Sequence, residues 1–259
     1  MRKFYMILLV ALVALSIAAC GGKGKERPLP AGSVVVALGD SITQGVGASE
    51  QTAWPALLAR SSGWRVINAG VSGDDSAQAL ARLPALLREY KPALVIVSIG
   101  GNDFLRAQSN SVTRANIAAV LRTVKESGSR AVLIGVPKPT VGAALGIFSD
   151  HELYKELAKE YGVPLLSGAW GDVMKQSRLM SDQIHPNAAG YAEFAAHLEK
   201  FLRKQGFCGD LCAWFVDFCG MSFKFTSNSL NLQTERELKF KAIHVGRLKF
   251  NEYRQKRNV

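Results

Sequence analysis

The 259-residue sequence predicts an α/β protein, a three-layer α/β/α sandwich around a five-stranded parallel sheet. Three observations carry that prediction. Between residues 33 and 206, short apolar runs alternate with longer segments of helical periodicity. Within the apolar runs there is no polar alternation, so both faces of each strand need covering, as in sheets built from βαβ crossovers. Hydrophobic residues make up 48% of the chain, which is enough for such a core.

The elements follow in order. "SVVVALG" (33–39) is a buried strand bounded by glycines. "TAWPALLAR" (52–60) is a helix with Thr52 as its N-cap and Pro55 in its first turn. "WRVINAG" (64–70) is the second strand. "DSAQALARLPALLREY" (75–90) has helical spacing, and Pro84 is expected to kink it. "ALVIVSIGG" (93–101) is the third and most apolar strand. "VTRANIAAVLRTVKESG" (112–128) is a helix stopped by Gly128. "RAVLIGV" (130–136) is the fourth strand. "SDHELYKELAKEYG" (149–162) is a helix capped by Ser149 or Asp150 and stopped by Gly162. "VPLL" (163–166) is a short fifth strand, and "NAAGYAEFAAHLEKFLRKQG" (187–206) is the last helix. Right-handed crossovers then favour a flavodoxin-like arrangement, in which ligands sit beyond the carboxyl ends of the strands.

The two ends differ from this domain. "MRK" followed by "FYMILLVALVALSIAA" has the form of a targeting segment, and its apolar run is shorter than the ~20 residues a membrane-spanning helix needs. It closes on "IAAC" (17–20), which resembles the bacterial lipoprotein processing box. That resemblance implies a signal peptide over 1–19, lipidation of Cys20, and a membrane anchor for an exported protein facing the periplasm or the cell exterior. "GGKGKERPLPAG" extends from Cys20 to residue 32 as a flexible tether. Residues 207–259 show no clear period, contain Cys208, Cys212 and Cys219, and form an atypical extension with no assigned role.

Cysteine and charge exclude several functions. No cysteine lies between Cys20 and Cys208, and the three in the tail have neither zinc spacing nor a histidine among them, so no metal and no cofactor is expected. Residues 21–206 carry 21 basic and 16 acidic side chains, a mild excess matching ordinary surface composition. No basic helix carries interleaved aromatics, so nucleic acid is not an expected partner.

Chemistry-bearing residues collect at the strand ends. The first strand runs into "GDSIT" (39–43), the second into "NAGVSGDD" (68–75) and the third into "GGNDF" (100–104); "SDQIHPN" (181–187) follows the fifth. Ser, Gly, Asn and an Asp–His pair, in that order, resemble the four signature blocks of the SGNH hydrolases, the superfamily of GDSL esterases and lipases. The stretches "AWPALL", "NAGVSGDDS", "LARLPALL", "GGNDFLR" and "IHPN" are most similar to its bacterial thioesterase, lysophospholipase and arylesterase branch. The resemblance spans residues 33–206 and implies the SGNH hydrolase fold.

The residue types also suit the chemistry on their own terms. Ser41 is a weak nucleophile that needs a neighbouring base. His185 can take its proton and return it to a leaving group. Asp182, three positions earlier, can reach the other ring nitrogen and fix the tautomer. Gly73 allows a close backbone approach, so its N–H, the Asn102 amide and the Ser41 N–H are candidate oxyanion donors. Asp40 is expected to shape the nucleophile turn and Asp103 to brace the Asn102 loop. His151, His197 and His244 lack a matching aspartate and read as structural or solvated. The strand-to-helix turn is not a G-x-S-x-G elbow, because Thr43 occupies the second glycine position. "PKPTVGAALGIFS" (137–149) could line an acyl pocket with Leu145, Ile147 and Phe148, or pack on the core.

The sequence therefore predicts a serine esterase acting on acyl esters or thioesters, with lysophospholipids and aryl esters as substrates. Alternatives are a carbohydrate O-deacetylase with the same triad and a surface lipoprotein that binds without turnover.

Overall fold

The computed structural model describes residues 26–138 and 148–208. The lipidation residue Cys20, the acyl-pocket candidates Leu145 and Ile147, His244 and the extension from residue 209 lie outside the described residues.

Five strands form one parallel sheet: β1 (Val34–Gly39), β2 (Arg65–Gly70), β3 (Leu94–Ser98), β4 (Arg130–Ile134) and β5 (Leu165–Leu166). Their order is β2-β1-β3-β4-β5 and every ladder is parallel. The expected three-layer fold is thus the observed one. Eight α-helices are described: α1 (Ser41–Gln44), α2 (Trp54–Ser62), α3 (Ser76–Tyr90), α4 (Gly101–Leu105), α5 (Asn110–Glu126), α6 (Glu152–Tyr161), α7 (Ala169–Met174) and α8 (Ala188–Gln205).

The apolar strands feed two cores, one on each face. Val35, Ala37, Leu94 and Ile96 pack with Trp54 and Leu58 of α2, Trp170 of α7, and Tyr191, Phe194 and Leu198 of α8. Val36, Leu38, Val95 and Val97 point the other way, into Leu83 of α3, Ile117 and Leu121 of α5, and Leu157 of α6. Burial on both faces is the reason these strands carry no polar alternation.

Several local expectations are corrected. Thr52 does not cap α2; it closes a 3₁₀ turn (Glu50–Thr52) by bonding back to Ser49, and Ala53 occupies the cap. Neither Ser149 nor Asp150 caps α6, because Asp150 Oδ2 accepts from Ser167 Oγ at 2.6 Å and from the Gly168 N–H at 2.8 Å, leaving His151 Nδ1 to take the Leu153 N–H. Besides these two corrections, Pro84 lies within α3 where the sequence places it, the helix running from Ser76 to Tyr90.

The packed unit also reaches further at both ends than residues 33–206. Leu29, in the expected tether, is buried and its N–H donates to the Phe207 carbonyl at 2.7 Å; the Glu26 N–H donates to the Gln205 carbonyl at 2.7 Å. Phe207 is 0% exposed, with the Arg130 guanidinium 4.9 Å from its ring centroid, and Cys208 is buried beside it. A chain ending at Gly206 is expected to be less stable in urea unfolding than one ending at Cys208, by roughly 3–5 kcal/mol, the typical cost of deleting a buried phenylalanine. Equal stabilities would show that the Phe207 seat contributes nothing.

Candidate active site

β1 lies where the strand order reverses, so its carboxyl end opens into the crevice between crossovers that diverge to the two faces. Asp40 turns the chain into α1 by accepting the Ile42 N–H on Oδ1 at 3.0 Å. Asp40 is buried, and burial pushes its carboxyl up to about 6, against the opposing pull of backbone N–H donors and of His185. Ser41 is the first residue of α1 and is 8% exposed.

The opposite wall is the turn from Ser181 to His185, closed by the Ser181 N–H donating to the His185 carbonyl at 2.8 Å. Asp182 Oδ1 accepts the Ile184 and His185 N–H groups, each at 2.7 Å. Its Oδ2 stands 2.8 Å from His185 Nδ1, and His185 Nε2 stands 3.0 Å from Ser41 Oγ. The His185 N–H is the largest influence on the Asp182 carboxyl; together with the His185 ring and the Ile184 N–H it holds that carboxyl down at about 2. The two walls meet at Gly47, where a Cβ would overlap Ser181 Oγ and the Pro186 carbonyl, and the Tyr191 hydroxyl donates to the Val46 carbonyl at 2.7 Å.

The third side comes from β2 and β3. Gly73 has φ +84°, a left-handed conformation suited to glycine, in a turn closed by the Asp74 N–H donating to the Val71 carbonyl at 3.1 Å. Asn102, in α4, donates one amide N–H to the Asp74 carbonyl at 2.8 Å. An amide has a second N–H, which remains available to a ligand. Gln44 ties α1 to the Gly73 turn, its Oε1 accepting the Ser72 N–H at 2.9 Å.

The structure thus brings Ser41, His185 and Asp182 into hydrogen-bond series and joins Asn102 to the Gly73 turn through Asp74, a turn that Gln44 ties to α1. Asp103 sits behind Asn102, fully buried, accepting the Ser76 N–H at 2.8 Å, the Ser76 hydroxyl, and Gln108 Nε2 at 3.0 Å. It therefore braces the loop rather than facing the crevice. His151 stacks on Phe104 with ring centroids 4.8 Å apart, and His197 pairs with Glu193 within α8 at 3.7 Å. Phe148, the described acyl-pocket candidate, lies against Gly171 in α7.

Sequence reading missed the arginines. Arg82 Nε donates to Asp74 Oδ2 at 2.7 Å and its Nη2 to the Gly39 carbonyl at 2.8 Å. Arg106 Nη2 donates to the Gly73 carbonyl at 2.8 Å. Arg82 reads in sequence as an ordinary solvated helix residue and Arg106 as the residue after the Asn102 loop, and no local pattern marks the partners of either. Among the described residues, no group of three or more His, Cys, Asp or Glu side chains could hold a metal ion.

A hydroxyl, a ring base and an ionised carboxylate in series can activate serine for attack on an acyl carbonyl. Comparison with known proteins agrees with such chemistry. The model of the GDSL-like Lipase/Acylhydrolase family matches residues 37–193. An Escherichia coli K12 protein, thioesterase 1/protease 1/lysophospholipase L1, is 38% identical over 162 residues, covering 61% of this chain and 77% of the relative. An arylesterase of Vibrio mimicus is 32% identical over 204 residues, covering 74% of this chain and 96% of the relative. Among solved structures, the crystal structure of TesA shares the fold with a TM-score of 0.61 at 30% identity, covering 67% of this chain and 99% of that one.

Proposed function

The chain belongs to the GDSL-like lipase/acylhydrolase family, and from that membership we propose that it is a serine esterase hydrolysing acyl esters or thioesters through a covalent acyl-enzyme. The observation that carries the reading is the placement of the His185 ring, with Nε2 3.0 Å from Ser41 Oγ and Nδ1 2.8 Å from Asp182 Oδ2. Ser41 Oγ attacks the acyl carbonyl as its proton passes to His185 Nε2. Asp182 stabilises the imidazolium that forms. The Ser41 and Gly73 N–H groups and the Asn102 amide receive the oxyanion. His185 then protonates the leaving alcohol or thiol, and deacylation repeats the sequence with water as the nucleophile.

Relatives named thioesterase, lysophospholipase and arylesterase support lysophospholipids, aryl esters and acyl thioesters as the substrate classes. The test is a serine-directed phosphonate probe on the purified protein, followed by a profile over acyl esters of graded chain length with an acetylated glycan alongside. Labelling at Ser41 with turnover of the acyl esters is expected. Turnover of the glycan alone would make the enzyme a deacetylase, and an unlabelled, inert protein would make it a binding lipoprotein.

The proposal extends to location. A basic start, a short apolar run and "IAAC" support lipidation at Cys20 and anchoring to a bacterial membrane on its outer, extracytoplasmic side. Cys20→Ser is expected to release the protein from the membrane fraction; retention there would overturn the anchor.

A further inference from the structure

We infer that Arg82 is a positioning residue that aligns the three oxyanion donors with one another, acting through Asp74. The inference rests on the oxyanion assignment proposed above and names a residue outside it.

The donors come from three separate segments, and Arg82 and Asp74 together join all three. Arg82 lies in α3, two turns beyond its Asp75 cap. Its Nη2 grips the Gly39 carbonyl at 2.8 Å, two residues before Ser41, and the same carbonyl accepts the Val71 N–H at 3.1 Å. Its Nε grips Asp74 Oδ2 at 2.7 Å. Asp74 adjoins Gly73, and its carbonyl accepts the Asn102 amide at 2.8 Å. The Ser41, Gly73 and Asn102 donors are therefore each no more than two residues or one hydrogen bond from Gly39 or Asp74, the two residues the Arg82 fork grips.

Burial gives the fork its leverage. The Asp74 side chain is 9% exposed. Without its guanidinium partner, a carboxylate this buried must move toward water, because an unpaired buried charge is strongly disfavoured. That movement would carry the Asp74 carbonyl and the Gly73 N–H away from the oxyanion. Oxyanion stabilisation depends on donors held near 3 Å before the charge develops, so the loss falls on the transition state rather than on substrate binding. Lysine is not a substitute for the fork, since a single ammonium is a point donor whereas Nε and Nη2 address two acceptors in fixed geometry.

The test is a kinetic cycle on p-nitrophenyl butyrate with Arg82→Met, Arg82→Lys, Asn102→Ala and the Arg82→Met/Asn102→Ala double variant, each checked for folding by circular dichroism. In Arg82→Met, kcat is expected to fall about 10- to 100-fold with KM changed less than about threefold, and Arg82→Lys should lie between it and the parent. In the Asn102→Ala background the same Arg82 change should cost less than it does in the parent, because one of the three donors it aligns is already gone. A folded Arg82→Met with kcat within twofold of the parent overturns the inference. So does a loss carried by KM, or one that multiplies fully with Asn102→Ala. If Arg82→Met and Arg82→Lys both fail to fold, Arg82 has a structural role and the inference is likewise overturned. Undiminished kcat in Asn102→Ala is a different result: it overturns the oxyanion assignment itself, and the positioning role with it.

Discussion

Ser41→Ala is expected to lower ester hydrolysis by roughly 10⁴- to 10⁶-fold, approaching the ~2 × 10⁶ lost when the nucleophile of a serine-protease triad is deleted, while the protein stays folded. The hydroxyl is the attacking group in the proposed mechanism, and alanine offers no atom to form the acyl-enzyme. Little of the fold depends on it. The start of α1 is capped by Asp40 Oδ1, not by the serine side chain. The Ser41 hydroxyl faces His185 Nε2, and His185 keeps its second anchor on Asp182. Removing one such hydrogen bond changes stability by about 1 kcal/mol. The measurements are kcat on an aryl ester, phosphonate labelling and thermal unfolding. A folded variant that keeps more than about 1% of the parent activity would return Ser41 to the role of a turn residue. The residual rate is informative as well, because donors that hold the oxyanion without a nucleophile still favour attack by water.

The residues differ in how legible they were, and for physical reasons. The strands were readable because burial on both faces leaves an apolar run with few alternatives, as at Leu94–Val97. The candidate site was readable because its parts are short local signals: a serine after a strand, a glycine in a turn, an aspartate three residues before a histidine. What was not readable depends on partners that are remote in sequence. Arg82 meets the Gly39 carbonyl 43 positions away only after β1 and α3 have packed. Asp150 had the sequence of a helix cap, but β5 delivers the Ser167 hydroxyl and the Gly168 N–H to it, and the cap passes to His151. Ser76 and Asn116 looked like ordinary helix residues, yet with Asp103 they form a buried polar cluster linking α3, α4 and α5. Phe207 looked like the first residue of an unrelated extension, and only the docking of Leu29 and Arg130 around it shows that it belongs to the core.

Asp182→Asn is expected to lower kcat by roughly 10²- to 10⁴-fold, and by more than Asp182→Ala, although asparagine is the closer mimic in shape. The reason lies in how the carboxylate is used. Oδ1 accepts two backbone N–H groups at 2.7 Å each, and Oδ2 faces His185 Nδ1 at 2.8 Å. An amide has one oxygen, which the two N–H groups require. Its NH₂ group then faces Nδ1 as a donor and forces that nitrogen to be the acceptor. The proton moves to Nε2, which points at Ser41 Oγ and can no longer take its proton. Flipping the amide does not help, because NH₂ would then oppose two N–H donors. Alanine removes the partner without imposing the wrong tautomer, and the Ser181–His185 backbone turn still holds the ring near Ser41. About 10- to 100-fold is expected there. The pH dependence tests the tautomer argument. Asp182 is depressed to about 2, so it stays ionised from neutral pH down to that point. Loss of the carboxylate removes the charge that favours the imidazolium, but in Asp182→Ala no donor imposes the wrong tautomer. In Asp182→Asn, raising the pH should recover nothing, because the tautomer is set by a donor that does not titrate. The decisive measurement is kcat and kcat/KM against pH for both variants on one aryl ester. Asp182→Asn equal to or faster than Asp182→Ala across the profile would mean that a different group orients His185, and the proposed triad would be wrong.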